Sequence, residues 1–465
     1  MKVRVWMFLV AFGVVGSAWA AKPAAAPQAP PPAAVAPAAV APAGAPGGYV
    51  GITQCRRCHG YSEPQPGGRV NLNEAFLWQN KDKHRNAFHA LELPLAQGIN
   101  KRLGLKEPTQ EARCLACHSP IAFEGITDKE LIADGISCEV CHGQAQNWLG
   151  THILKTATHD QNVQNGMTDL KNPASRATVC LNCHLGNEEK KKSVDHELIA
   201  AGHPDLFFDL ARFYTNMPSH SKSWAPDNLE ALRAWGAGQA SELEAHMRRI
   251  SSRAKDKAWP EYAEMRCSAC HHSLTAPSES WRQELGYKGR KPGNIPFNDS
   301  RFSAYRALLD VVNPADSKKL DAGMSQMFAG MSVLEPNREA ISKLAGEVAE
   351  LARAQIAPVA SANYDAALCK KLFASVVSER ERIAAEGHRA ALHTAWLLHL
   401  LVAIGRSSGA LAAKAGKVDS VLHEIDEHLD TPTPDDPTRF ANPSGYSAPR
   451  FAEQVKTLGD NVKWN

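Results

Sequence analysis

The pattern of apolar and polar residues divides the chain into two parts. Beyond residue 290, apolar residues recur at helical spacing in segments separated by proline and glycine. These segments cover residues 302–312, 316–331, 338–355, 364–385, 389–405 and 411–428. The pattern predicts an all-helical C-terminal domain over residues 290–465, in which a Pro-rich run at 431–437 leads into a poorly structured tail.

Residues 49–289 follow a different pattern. Proline, glycine and asparagine are scattered through this part, and long periodic runs are few. Thr127 and Glu130 have the spacing of a capping box, which predicts a short helix that Gly135 ends before Cys138. The chain is therefore expected to be mainly α. In its loop-rich N-terminal module, something other than side chains must supply much of the buried apolar surface of the core.

A repeated cysteine motif indicates what fills this core. Five copies of Cys-x-x-Cys-His use ten of the eleven cysteines. They comprise Cys55, Cys58 and His59; Cys114, Cys117 and His118; Cys138, Cys141 and His142; Cys180, Cys183 and His184; and Cys267, Cys270 and His271. This pentapeptide is the attachment signature of c-type haem: the thiols form thioethers to the macrocycle, and the histidine is the proximal ligand of the iron.

Other uses of these cysteines explain the pattern less well. Zinc sites need a second ligand pair at zinc spacing, structural disulfides give no role to five histidines, and a thioredoxin-like motif would occur once, near a βαβ pattern. Cys369 lies outside the repeats in a helical segment, and we expect a half-buried thiol without a chemical role. The sequence thus predicts five covalently attached haem c groups as the core of a pentahaem domain over residues 49–289.

The N-terminus has the features of a secretory signal peptide over residues 1–20. Lys2 and Arg4 precede an apolar stretch, and small residues end it at Ala20. An uncleaved N-terminal anchor is the alternative, although the stretch is short for a membrane span. Residues 21–48 are almost entirely Ala and Pro and predict a stiff linker. We therefore expect a periplasmic or extracellular protein, with no transmembrane segment in the mature chain.

Charge excludes one class of partner. The net charge of +3 falls to +1 once Lys2 and Arg4 are removed, and haem propionates make the loaded protein mildly acidic. No basic stripe and no nucleic-acid-binding motif is present, so we expect no nucleic-acid partner.

The second axial ligand of each iron decides what the haems do, because an iron with histidine on both faces transfers electrons and an open face binds small molecules. The N-terminal part holds enough further histidines to ligate every iron. They are His84, His89, His152, His159, His196, His203, His220, His246 and His272.

Several segments resemble the cytochrome c554 family, whose members take electrons from hydroxylamine oxidoreductase. The resemblance covers about residues 49–285. It rests on the stretch from Tyr49 into the first motif, on Trp78 followed by His84, on Gly135-Ile-Ser-Cys138 leading into Cys-His-Gly, and on Ala-Ala-Gly-His203-Pro204.

The resemblance implies that His84, His152 and His203 are distal iron ligands. The spacing from Trp78 is one residue longer than in the family, so His89 competes with His84. Gln144 and Ala145 replace the family's Pro-Gly, so His159 competes with His152. His196 is a further candidate, and a fifth motif at Cys267, followed by His272, exceeds the four haems of the best-known member. His388, His393 and His399 are expected to be ordinary helix residues.

The sequence favours a multihaem cytochrome c that relays electrons between redox partner proteins through closely spaced haems. The short separations between the motifs support this prediction, and no nucleophile–base pair, carboxylate dyad or phosphate loop offers other chemistry. The alternative is a haem oxidoreductase that acts on a small nitrogen or sulfur compound at one five-coordinate iron. Whether the chain is an enzyme therefore stays open, as does membership of a larger redox complex with the helical domain as its docking surface.

Overall fold

The computed structural model describes residues 48–67, 70–218, 227–257, 259–267, 270–271, 295–411, 415–431 and 445–464. The predicted signal peptide, residues 21–47 of the predicted linker, His220, His272 and residues 432–437 lie outside these ranges.

The described residues are mainly helical, as the sequence predicts. They form no β-strand, and their extended pairing is limited to isolated bridges such as Met265 with Phe297. Within them, no helix combines the length and the apolar character needed to cross a lipid bilayer.

Short helices and loops build the part that carries the first four motifs. The helices are α1 (Ile52–His59), α2 (Glu74–Lys81), α3 (Pro94–Leu103), α4 (Ala112–His118), α5 (Pro120–Phe123), α6 (Lys129–Ala133), α7 (Cys138–His142), α8 (His159–Gln164), α9 (Pro173–His184), α10 (His196–Ala200) and α11 (Leu210–Asn216). Turns of 3₁₀ helix occur at Lys83–Asn86, His89–Glu92, Pro108–Gln110, Glu188–Lys190 and Tyr262–Glu264. Asp128, rather than Thr127, caps α6 through its side chain.

One long helix interrupts this loop-rich part. Helix α12 (Asn228–Arg253) has 26 residues, so the expectation of few long elements before residue 290 is wrong here. Apolar Trp235 and Leu243 are buried in α12, but so are charged Glu242 and Arg249. Because α12 is buried on most of its surface, it has no single apolar stripe for periodicity to detect.

The C-terminal helices follow the predicted segments closely. They are α13 (Ser300–Val312), α14 (Pro314–Met331), α15 (Arg338–Ser361), α16 (Ala366–Ser378), α17 (Arg380–Ala385), α18 (His388–Ser407) and α19 (Ala415–His428). One predicted segment, 364–385, is divided between α16 and α17 at Glu379. Cys369 in α16 is fully buried rather than half-buried, and its thiol donates to the carbonyl of Tyr364.

The predicted unstructured tail is wrong for residues 448–461. These residues form α20 (Ala448–Asn461), which packs on α17 and α19. Phe451, Val455 and Leu458 lie on one face at helical spacing, and all three are fully buried.

The largest hydrophobic core joins α12 to the C-terminal helices. Leu232, Trp235 and Leu243 of α12 are buried together with Tyr305, Leu308 and other residues of helices α13–α20. Helix α12 makes its most extensive contact with α15. The boundary at residue 289 stays a prediction, but this core extends across it.

Candidate functional site

The first four motifs lie on short helices that end at the motif histidine or close to it. Helices α1, α4 and α7 end at His59, His118 and His142, and the longer α9 ends at His184. In the fifth motif the backbone N–H of His271 donates to the carbonyl of Cys267, which is one helical turn. One turn of helix brings the two cysteines and the histidine of a motif close together on the helix surface.

Two motif histidines have a protein acceptor at Nδ1. The Nδ1 of His59 lies 2.7 Å from the carboxylate of Glu74, and the Nδ1 of His118 lies 2.7 Å from the carbonyl oxygen of Ala87. Glu74 is itself held by the backbone N–H groups of Asn71 and Leu72. Metal-binding histidines characteristically donate one ring nitrogen to a carboxylate or carbonyl, which leaves the other nitrogen for the metal.

The three predicted distal histidines have the same arrangement. The Nδ1 of His84 lies 3.0 Å from Asp82, that of His152 lies 2.7 Å from the carbonyl of Leu149, and that of His203 lies 2.7 Å from the carbonyl of Pro204. In all three rings Nε2 is therefore the nitrogen left for a metal.

Each of these histidines faces the histidine of a different motif. The ring centroids of His152 and His59 are 6.3 Å apart, those of His84 and His184 are 6.1 Å apart, and those of His203 and His118 are 6.5 Å apart. The ring planes differ by 15° in the first pair and by 88° and 87° in the other two.

This spacing fits two imidazoles on opposite faces of one metal. An imidazole nitrogen binds a metal at about 2.0–2.1 Å and lies about 1.1 Å from its ring centroid, so the two centroids are expected about 6.3 Å apart. The three pairs thus have both the donor type and the separation that a bis-histidine haem iron requires.

Hydrophobic and hydrogen-bonding contacts fix the pair formed by His84 and His184. The Nε1–H of Trp78 donates to the carbonyl of Ile136 at 2.9 Å, and the N–H of Ile136 donates to the carbonyl of His84. The ring of His184 packs against Phe208 and Phe213. Burial lowers the pKa of His184 to about 4, which keeps the ring in the neutral form that binds a metal.

The competing histidines lie elsewhere. His89 is exposed, pairs with Glu92 at 2.9 Å and packs on Phe88. The Nε2 of His159 lies 2.8 Å from Asp169, and the Nε2 of buried His246 lies 2.8 Å from Glu264. In both rings a carboxylate therefore binds Nε2, which is the nitrogen left for a metal in His84, His152 and His203.

His196, the further candidate, lies beside the fifth motif. Its ring centroid is 6.3 Å from that of His271, with 34° between the planes.

His142 of the third motif is half-buried, and its carbonyl accepts the N–H of Thr168 at 2.9 Å. His388, His393 and His399 lie in α18. They contact Leu429, Asp209 and Asp426 respectively.

Cysteines of different motifs also lie close to each other. The thiols of Cys55 and Cys138 lie near each other and pack on the same small apolar cluster, which brings the first motif close to the third. The thiols of Cys117 and Cys183 likewise lie near each other, which brings the second motif close to the fourth. Cys141 of the third motif lies close enough to Cys180 of the fourth for their charges to interact.

A buried carboxylate holds the first and third motifs together. Glu139, which lies between the cysteines of the third motif, accepts hydrogen bonds from the N–H groups of Val50, Gly51 and Ala145. Its side chain is buried, and its three donors come from both sides of the motif in the sequence. The segment that enters α1 is thereby tied to α7.

Residues 54–143 match the family model described as cytochrome c554 and c-prime. This range contains the first three motifs and His84, and the match confirms the part of the inferred resemblance that lies within it. It supports a haem-based electron-transfer protein, since c-type haem is bound covalently in this family. No curated protein and no solved structure gives a match to the chain.

Proposed function

We propose that this chain, whose residues 54–143 belong to the cytochrome c554 and c-prime family, is an exported pentahaem cytochrome c that relays electrons between redox partner proteins. The observation that carries the proposal is the placement of His152, His84 and His203 opposite His59, His184 and His118, with centroids 6.1–6.5 Å apart.

In this proposal those three pairs would hold the irons of the haems attached through the first, fourth and second motifs. Haem supplies reversible one-electron chemistry when it is bound. The chain contributes the ring nitrogens, the acceptors that orient five of the six rings, and the packing of Phe208 and Phe213 against His184. Histidine on both faces leaves an iron without a position for substrate, which favours electron transfer over catalysis at these three sites.

Thiols that lie near each other indicate where electrons would pass. The first motif lies close to the third at Cys55 and Cys138, and the fourth lies close to the second at Cys183 and Cys117. Because thioethers would attach the macrocycles at these sulfur atoms, electrons would pass between the haems held at motifs one and three and between those held at motifs two and four.

Two measurements on the purified protein test the proposal. The intact mass is expected to equal that of the chain cut after Ala20 plus five haem groups. A colourless product, or the mass of the bare processed chain, would refute it. Recovery of the mature form from the periplasm or the medium tests export, and recovery only from the cytoplasm contradicts it.

Electron paramagnetic resonance of the oxidised protein tests the ligand assignment. The near-parallel rings of His59 and His152 predict a rhombic low-spin signal. The near-perpendicular pairs predict two strongly axial low-spin signals, because the relative orientation of the rings sets the splitting of the iron d orbitals. A high-spin iron that binds nitric oxide or nitrite would instead support the oxidoreductase alternative.

A further inference from the structure

The contact between His196 and the fifth motif has a specific geometry. The two ring centroids are 6.3 Å apart, which lies within the 6.1–6.5 Å range of the three pairs described above. The fifth motif falls outside the segment that matches the family, as does His196. We infer that His196 is the distal ligand of a haem attached at Cys267 and Cys270, opposite His271. This inference rests on the proposed multihaem function.

The local structure holds His196 in this position. The carboxylate of Glu261, six residues before Cys267, accepts the backbone N–H of His196 at 2.9 Å and that of Ala263 at 2.8 Å. Tyr262 packs edge-on against the ring of His196 at 6.0 Å. The residues that lead into the fifth motif therefore hold the backbone of His196, the first residue of α10, and its ring lies beside both Tyr262 and His271.

A second set of contacts joins this site to the second motif. Asp195 caps α10 by accepting the N–H of Leu198, and it forms an ion pair of 2.5 Å with Arg113, the residue before Cys114. Seven residues after His196 comes His203, which faces His118 of the second motif. Helix α10 and the turn after it thus present one ligand to each of two motifs. The fifth haem is accordingly the neighbour of the second.

The surroundings of His196 differ from those of an ordinary surface histidine. The ring of His89, for comparison, has the carboxylate of Glu92 at 2.9 Å from its Nδ1. In contrast, the ring of His196 faces His271 and Tyr262, while carboxylates on either side bind backbone groups or Arg113. The acidic groups near His196 therefore position its backbone and leave the ring for a ligand role.

The test uses the fully haem-loaded protein and two substitutions at one position. His196→Ala is expected to convert one low-spin haem to high spin in the paramagnetic resonance spectrum, and added imidazole is expected to restore it. His196→Met replaces nitrogen by a thioether and is expected to raise the reduction potential of one haem, because Met–His ligation favours the reduced iron. His89→Ala is the matched control and is expected to change neither property.

Assignment to the fifth motif comes from a combination of variants. Cys267→Ser together with Cys270→Ser is expected to lower the mass by one haem, and His196→Ala in that background is expected to have no further spectral effect. The inference alone is overturned if the parent protein has the mass of five haems, His196→Ala has as many low-spin irons as the parent, and His196→Met leaves the potentials unchanged. Absence of covalent haem from the parent protein overturns the proposed function as well.

Discussion

Glu264 is the most heavily engaged buried acid near the fifth motif, and its replacement by glutamine gives a test of how the motifs are held together. Its carboxylate is fully buried and accepts hydrogen bonds from Arg249 at 2.9 Å and Arg253 at 2.7 Å, with the Nε2 of His246 at 2.8 Å. Arg253 also binds Glu188. The cluster therefore joins α12, the turn after the fourth motif and the turn before the fifth.

The Glu264→Gln variant keeps the volume of the side chain but leaves Arg249 without a buried counter-charge. Removing one partner of a buried ion pair typically costs about 3–5 kcal/mol. We expect the lower end, about 3 kcal/mol, because Arg253 retains Glu188 and Arg249 retains the carbonyl of Leu185. This loss is a large share of the roughly 5–15 kcal/mol that stabilises an ordinary domain.

Guanidinium chloride unfolding of the haem-loaded protein, followed by far-ultraviolet circular dichroism, measures this loss. Glu350→Gln is the matched control, since Glu350 also binds two arginines, Arg248 and Arg353, but is 51% exposed. An exposed pair contributes about 0.2–1 kcal/mol. The denaturant dependence is expected to stay constant while the midpoint falls. A loss for Glu264→Gln no greater than that for Glu350→Gln would show that the buried cluster is not a stabilising unit.

The pH dependence of the same variant has a definite sign. Burial alone would raise the pKa of Glu264, but Arg249 and His246 outweigh it and hold the pKa well below its usual range. Stability from a lowered carboxyl pKa is present above the unfolded-state value of about 4.3 and is lost as the pH falls below it. The difference in free energy of unfolding between the parent protein and Glu264→Gln is therefore expected to become smaller below about pH 5.

Four further substitutions test the packing. Gly238→Ala places a Cβ 2.6 Å from that of Leu210 and is expected to lower the free energy of unfolding by about 1–3 kcal/mol. Gly346→Ala has room for its Cβ and is expected to raise the free energy of unfolding by about 0.5–1 kcal/mol. Thermal unfolding of the two variants measures both changes. Glu139→Gln weakens three backbone hydrogen bonds and is expected to cost about 1–3 kcal/mol, with a matching fall in melting temperature. Phe451→Ala is expected to cost about 3–5 kcal/mol in chemical unfolding, and an unchanged midpoint would show that α20 does not pack as described.

The sequence predicts the C-terminal helices well because apolar residues recur at helical spacing in each of the predicted segments. Helices α13 and α14 begin two residues before the predicted segments and end where those segments end. Helix α12 does not follow this rule, because buried Glu242 and Arg249 interrupt its apolar positions. Their partners, Arg301 and Glu264, are distant in the sequence, so no local pattern indicates that these charges are buried.

The sequence predicts those residues of the candidate site that lie close together along the chain. The Cys-x-x-Cys-His motifs are contiguous, and each predicts a helical turn directly. A distal ligand comes from another part of the chain, so the resemblance to a family was needed to select His84, His152 and His203. Spacing alone ranked His89 and His159 as competitors, and the carboxylates that bind their rings, Glu92 and Asp169, carry no sequence signal of that role. His196 lacked any family motif, and only the fold brings it to His271.

The C-terminal helices support the haem-bearing part directly. Arg389 of α18 forms an ion pair with Asp205, two residues after His203, and His393 of the same helix lies 3.3 Å from buried Asp209. Phe208, between these two acids, packs against His184. Helix α18 thus fixes one segment that serves the ligands of both the second and the fourth motifs. Removing residues 290–465 would release this segment and also expose the apolar side chains of α12. The helical part is therefore a structural support for the segment that carries the proposed iron ligands.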